Sequence, residues 1–217
     1  MSTPDRSSAM ALDTDAGVGA AKSGALGQAI AVTAETAVAD TRRWLERAVI
    51  GLNLCPFAKA VHAKGQIHHA VHLAEADDAG LMDRLLAEAH ALAALPASKR
   101  DTTLLIAPSA LADFLDFNDF TARAERRLSR AGFDGTLQLA SFHPRFQFTG
   151  TEAENIGNAT NRAPYPTLHL LREASIDRAV EAFPDAEAIF GRNIETLEAL
   201  GADGWAALDV GPGGAAR

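Results

Sequence analysis

Apolar positions change their spacing along the chain, and each change marks an element. Val38, Thr41, Leu45, Ala48, Val49 and Leu52 recur at helical intervals, which predicts an amphipathic helix over 35–52 with Arg42, Arg43 and Glu46 outward. Residues 66–73 alternate instead. Ile67, His69, Val71 and Leu73 share one side, and Gln66, His68, Ala70 and His72 the other, the pattern of a half-buried strand. Helical period returns over 78–95 through Leu81, Met82, Leu85, Leu86, Ala89 and Leu92, and Pro96 closes it. A short apolar strand is expected at 102–107, ended by Pro108. A helical region then runs from Ser109, as N-cap, to Gly132, with a candidate break at Asn118. Strands at 136–142 and 167–171 flank a polar loop longer than compact domains usually carry without a use for it. Helices at 175–183 and 193–200 follow, separated by Pro184 and the Gly191-Arg192-Asn193 turn, with Gly201 as the final C′ residue.

Two consecutive strand-helix-strand units favour parallel pairing, and the last strand is free to run antiparallel. The expected fold is therefore α/β: one domain over 33–208, a mixed four-stranded sheet covered by helices. Residues 1–32 mix Ala, Gly, Ser, Thr and Asp without an aromatic residue or a sustained apolar stripe, which predicts a disordered tail. The Gly-Pro-Gly-Gly run within 209–217 reads as a flexible end. Asp5, Asp13 and Asp15 interrupt any secretory apolar stretch.

Charge and cysteine usage narrow the class. A net charge of −8 over 217 residues argues against a phosphate-backbone binder, so no nucleic-acid partner is expected. The basic stretch Arg123 to Arg130 reads as the solvated face of a helix. No apolar run reaches the roughly 18 residues of a membrane span, and one cysteine makes no internal disulfide; the expectation is a soluble cytoplasmic protein.

Three motifs could carry chemistry. In Leu52-Asn53-Leu54-Cys55-Pro56-Phe57-Ala58, Pro56 suits the first position of a helix and makes Cys55 its N-cap, where unpaired N–H groups and Lys59 would favour a thiolate. The competing account is a small buried hydrophobe. In Ser141-Phe142-His143-Pro144-Arg145-Phe146-Gln147-Phe148, His143 falls at the end of a strand, where it can serve as a base or a ligand, or simply anchor the loop through a backbone bond. The third runs from Asn158 through Asn161-Arg162-Ala163-Pro164-Tyr165-Pro166 to His169. Its prolines stiffen a loop able to hold Asn161 and Arg162 in place. The planar guanidinium forks of Arg162 and Arg145 suit a carboxylate or phosphate, or else a carboxylate of the protein itself.

LNLCPFA, FHPRFQF and TNRAPYPTLHLLRE, in that order and separated by helix-strand units, resemble a family of uncharacterised bacterial proteins classed as a domain of unknown function. The likeness spans roughly residues 36–201 and implies no reaction. On the residues alone, the expectation is an enzyme with Cys55 as nucleophile or redox thiol and His143 or His169 as acid/base. Arg145, Gln147, Asn161, Arg162 and Tyr165 would bind a small anionic substrate for acyl or amide transfer or thiol redox chemistry. One alternative makes Cys55, His143 and His169 ligands of zinc or iron. Another is a noncatalytic module binding a small anion or a peptide. Metal binding by His68 with His72, about 13 Å apart on a strand, or by Asp113, Asp116 and Asp119 is the weaker reading of those groups.

Overall fold

The computed structural model describes residues 32–181 and 188–213. The expected N-terminal tail, apart from Val32, lies outside the described residues, as do Pro184, the end of the helix expected at 175–183, and residues 214–217.

The first helix, α1 (Ala34–Trp44), starts where the Thr33 hydroxyl accepts the Thr36 N–H at 3.2 Å. It continues as a π-helical turn, Leu45–Ile50, in which the Gly51 N–H reaches the Glu46 carbonyl at 3.0 Å. A short helix α2 (Ala58–Ala63) leads into β1 (Ile67–Val71). Helix α3 (Asp78–Ala94) is capped by Asp77, which accepts the Gly80 N–H at 2.9 Å, and β2 (Thr102–Ile106) follows. Helix α4 covers Phe114–Arg130 without a break at Asn118. Its N-cap is Asp113, which accepts the Leu115 and Asp116 N–H groups, and not Ser109. The reason is Leu111, whose φ of 54° turns the chain left-handed and delays the helix.

Strand β3 (Leu137–Phe142), a 3₁₀ turn (Ile156–Asn161) and β4 (Thr167–Arg172) follow, then α5 (Glu173–Glu181) and α6 (Ile189–Ala207). Gly201 does break the last helix, at a φ of 69°, but a further turn carries it to Ala207, and Asn193 is helical. The expected flexible end differs as well. Arg43 donates to the Asp209 and Gly211 carbonyls, both at 2.7 Å, and Asp40 accepts the Gly213 N–H at 2.9 Å, so residues 209–213 are held against α1.

The sheet is mixed and four-stranded, in the order β1-β2-β4-β3. β1 and β2 are parallel, whereas β4 runs antiparallel to both of its neighbours. The second strand-helix-strand unit therefore does not pair directly: β4 inserts between β2 and β3. Burial explains the order. β2 is buried at every position and β4 carries Leu168 and Leu170, while β1 and β3 are more open and take the edges. One sheet face, with Leu105, Leu137, Leu168 and Leu170, packs on Leu81, Leu85, Phe117 and Phe120 of α3 and α4. The other face carries Ile67, His69, Leu104, His169 and Phe142, and α1 with its π-helical turn packs against it through Trp44 and Leu45.

Candidate functional site

Cys55 and His169, distant in sequence, line one cavity of about 950 Å³ on this second face. Its apolar wall includes Trp44, Leu45, Val49, Ile67, Leu104 and Phe142, with the Trp44 and Phe142 rings edge-to-face at 5.2 Å. Polar groups gather at one edge of the sheet. Lys64 and Gln66 precede β1, Ser98 and Asp101 precede β2, Arg172 ends β4, Ser175 lies in the first turn of α5 and Arg178 in its last.

The loop holding Cys55 is pinned from behind. Buried Asn193 donates to the Leu54 carbonyl at 2.9 Å, and Leu54 packs with Ala159 and Leu197. Cys55 is not the N-cap of α2; that position belongs to Phe57. Its thiol nevertheless meets the Phe57 and Ala58 N–H groups, but burial outweighs them and pushes the thiol above its ordinary range. A neutral thiol at pH 7 replaces the thiolate that the sequence suggested.

His169 is fixed by Thr102. The Thr102 hydroxyl has a single proton and stands 2.6 Å from both the Leu170 carbonyl and His169 Nε2. Both contacts are satisfied when the hydroxyl donates to the carbonyl and accepts from Nε2–H, which leaves Nδ1 as the lone-pair nitrogen. Burial, helped by His69, lowers the His169 pKa to about 4. His69 shares this face, with Leu104 between the two histidines, and its own pKa also falls to about 4, chiefly through burial. Its buried Nε2 has no hydrogen-bond partner. Both values lie below the unfolded-state pKa of about 6.5, so the unfolded chain binds more protons between the two. The stability these neutral rings provide is complete above pH 6.5 or so and is lost as the pH falls through about 4. Urea midpoints should fall steadily over that window, and H69N or H169N should flatten the fall.

The other candidates sit elsewhere. His143 faces the opposite side of the sheet, between Phe114 and Phe117 of α4. Its Nδ1 accepts the Arg145 N–H at 3.0 Å and its Nε2 donates to the Leu111 carbonyl at 3.1 Å, so both ring nitrogens are used. This is the loop anchor, and it holds the left-handed Leu111 in place. Arg145 donates to the Ala112 carbonyl and lies 3.5 Å from Asp113. Gln147 donates to the Thr151 carbonyl at 2.5 Å. Arg162 ties the Phe146 and Ala153 carbonyls at 3.1 and 2.5 Å, and the Asn161 carbonyl accepts the His143 N–H at 3.2 Å. The Tyr165 hydroxyl donates to buried Asp40 at 2.7 Å. Gln147 and Arg162 hold the long loop from within, together with fully buried Asn158, which bonds Phe148, Thr151 and Glu152, whereas Arg145 and Tyr165 tie it to the start of α4 and to α1.

The residues 36–207 match the family model described as a protein of unknown function, DUF1415. The chain belongs to that family. No curated protein and no solved structure matches it. In this DUF1415 chain no three His, Cys, Asp or Glu side chains among the described residues form a metal-holding group, and His143 and His169 stand on opposite faces. No helix among the described residues is long and apolar enough to cross a membrane. Arg123, Arg126, Arg127 and Arg130 line a cleft beside Asp78, with Arg123 paired to Asp78 at 2.6 Å. Sequence reasoning missed Thr102, Lys64, Arg178 and Asn193. Nothing marks Thr102 beyond its place at the start of an apolar strand, and Asn193 follows a glycine that suggests a turn.

Proposed function

We propose that this protein is a thiol-dependent acyl-transfer enzyme, with Cys55 as nucleophile and His169 as general base. The observation that carries the reading is that both side chains line the same cavity while His169 keeps Nδ1 free as a proton acceptor. Neutral thiol and neutral imidazole form the resting pair, so the proton moves as the bond forms rather than beforehand. The Cys55 proton passes to Nδ1 while Sγ bonds to the carbonyl carbon of an ester, thioester or amide. The carbon–leaving-group bond then breaks, and the leaving group takes the proton from His169. Water or a second acceptor attacks the resulting thioester, with the proton flow reversed. The Phe57 and Ala58 N–H groups, which meet the sulfur, are suited to the negative charge that develops beside it. Lys64 and Arg178 take the place of Arg145 and Arg162 as anchors for an anionic group.

Thr102 is a positioning residue in this scheme. Turnover of a p-nitrophenyl ester or acyl thioester should fall about 10- to 100-fold in Thr102→Val, because Nε2–H loses its acceptor and the ring its orientation, whereas Thr102→Ser restores it. Equal loss in both variants would reduce Thr102 to a packing role.

A second reading is a noncatalytic binding protein. The raised Cys55 pKa supports it. Iodoacetamide alkylation against pH, read by mass spectrometry, separates the two: an inflection that His169→Asn removes supports general-base help, and a plain high-pH thiol profile in both proteins supports the binding module.

A further inference from the structure

The walls of the cavity and its rim differ in kind. Trp44, Leu45, Val49, Ile67, Leu104 and Phe142 form a continuous apolar surface along the sheet, far larger than the side chain of one amino acid would need. At the edge where β1 and β2 begin and β4 ends, the cations Lys64, Arg172 and Arg178 meet one carboxylate, Asp101. Asp101 is engaged, accepting the Ser175 hydroxyl at 2.6 Å. Arg172 is also engaged, with the Leu92, Leu95 and Arg100 carbonyls. Arg178 donates to Ser175 Oγ at 2.9 Å, and neither it nor Lys64 has a carboxylate partner among the described residues. An apolar trough with two cations at one end that have no carboxylate partner among the described residues fits a molecule of the same polarity.

Resting on the thiol-enzyme reading for its role but not for its binding, we propose that the cavity takes an amphipathic carboxylate. The aliphatic or aromatic body of the ligand lies along Trp44, Ile67, Leu104 and Phe142, and its anionic head meets Lys64 and Arg178. The preference comes from charge complementarity at the rim combined with apolar burial within. A small polar anion would leave the apolar wall uncovered, and an apolar cation would meet the rim as a like charge.

The test uses the full chain and anilinonaphthalene sulfonate fluorescence, with decanoate, decanol and decyltrimethylammonium as competitors. Decanoate is expected to displace the dye at least about tenfold more tightly than either of the others, and Lys64→Ala with Arg178→Ala together to remove that preference while leaving decanol unchanged. Leu104→Trp, which fills the trough, should abolish decanoate binding; circular dichroism checks that the variant is folded, and Ile67→Trp repeats the occlusion from β1. Equal displacement by all three competitors, a preference that survives loss of both cations, or decanoate binding unchanged in both folded occlusion variants would each overturn the proposal. Cys55→Ser keeps the expected binding, so decanoate binding without any acyl transfer sinks the enzyme reading alone, and acyl transfer without the carboxylate preference sinks the ligand assignment alone.

Discussion

Cys55→Ser should lower acyl-transfer turnover by about a thousandfold or more, because an alcohol this poorly activated replaces the group that forms the covalent bond. The comparison is informative since serine keeps a similar volume and the hydrogen-bonding oxygen still faces the Phe57 and Ala58 N–H groups. The loss should therefore appear in kcat with KM little changed. An intact-protein mass measurement supplies the second arm: the wild-type chain incubated with an activated ester gains one acyl mass, and the serine variant does not. Turnover retained in Cys55→Ser would remove the thiol from the mechanism. A wild-type chain that neither turns over nor acylates would leave the binding module as the reading.

Arg100→Met should be the most destabilising single change outside the apolar core, at about 3–5 kcal/mol. Arg100 and Glu88 form a buried ion pair between α3 and the segment entering β2, and Arg100 Nε also donates to Thr103 Oγ1 at 2.8 Å. Removing the guanidinium leaves Glu88 with Arg84, at 2.9 Å, and the more distant ring of His68. It also strands the Thr103 hydroxyl in a buried position. Urea denaturation at pH 7 reads the loss directly as a fall in midpoint at constant slope. The double variant Arg100→Met with Glu88→Met should recover much of it, since an apolar pair avoids desolvating either charge. A single variant within about 1 kcal/mol of wild type would show that Arg84 alone suffices.

Much of the architecture could be read from spacing, because helix and strand periods depend on local order. The alternation of 66–73 placed His69 and His68 on the correct opposite faces of β1. The mixed sheet was also legible, although the central place of β4 was not: that depends on which strands bury both faces, a property settled between elements. Local signals misled where a tertiary contact overrides them. Ser109 has the chemistry of an N-cap, yet Leu111 bends the chain after it, and His143, from beyond β3, holds that bend. Of the candidate site, Cys55 and His169 were legible as reactive types in motifs. His143 was equally reactive by type, and only the face of the sheet tells the two histidines apart. The arginines of the long loop show the same limit: a guanidinium that grips backbone carbonyls and one that awaits an anion look alike in sequence.

The π-helical turn between α1 and Cys55 makes the position of the thiol a matter of backbone winding as much as residue type. Each residue advances a helix by about 100°, and the wide turn absorbs one more residue than regular winding would. Were the same residues wound as an ordinary α-helix, the extra one would no longer be absorbed and would add its own rotation of about 100°. The aromatic wall at Trp44 would then stay in place while everything from Gly51 onward swung to a different azimuth. Side chains in this stretch can be exchanged for others of similar size with modest consequences, but its wide winding sets where the cavity meets its thiol.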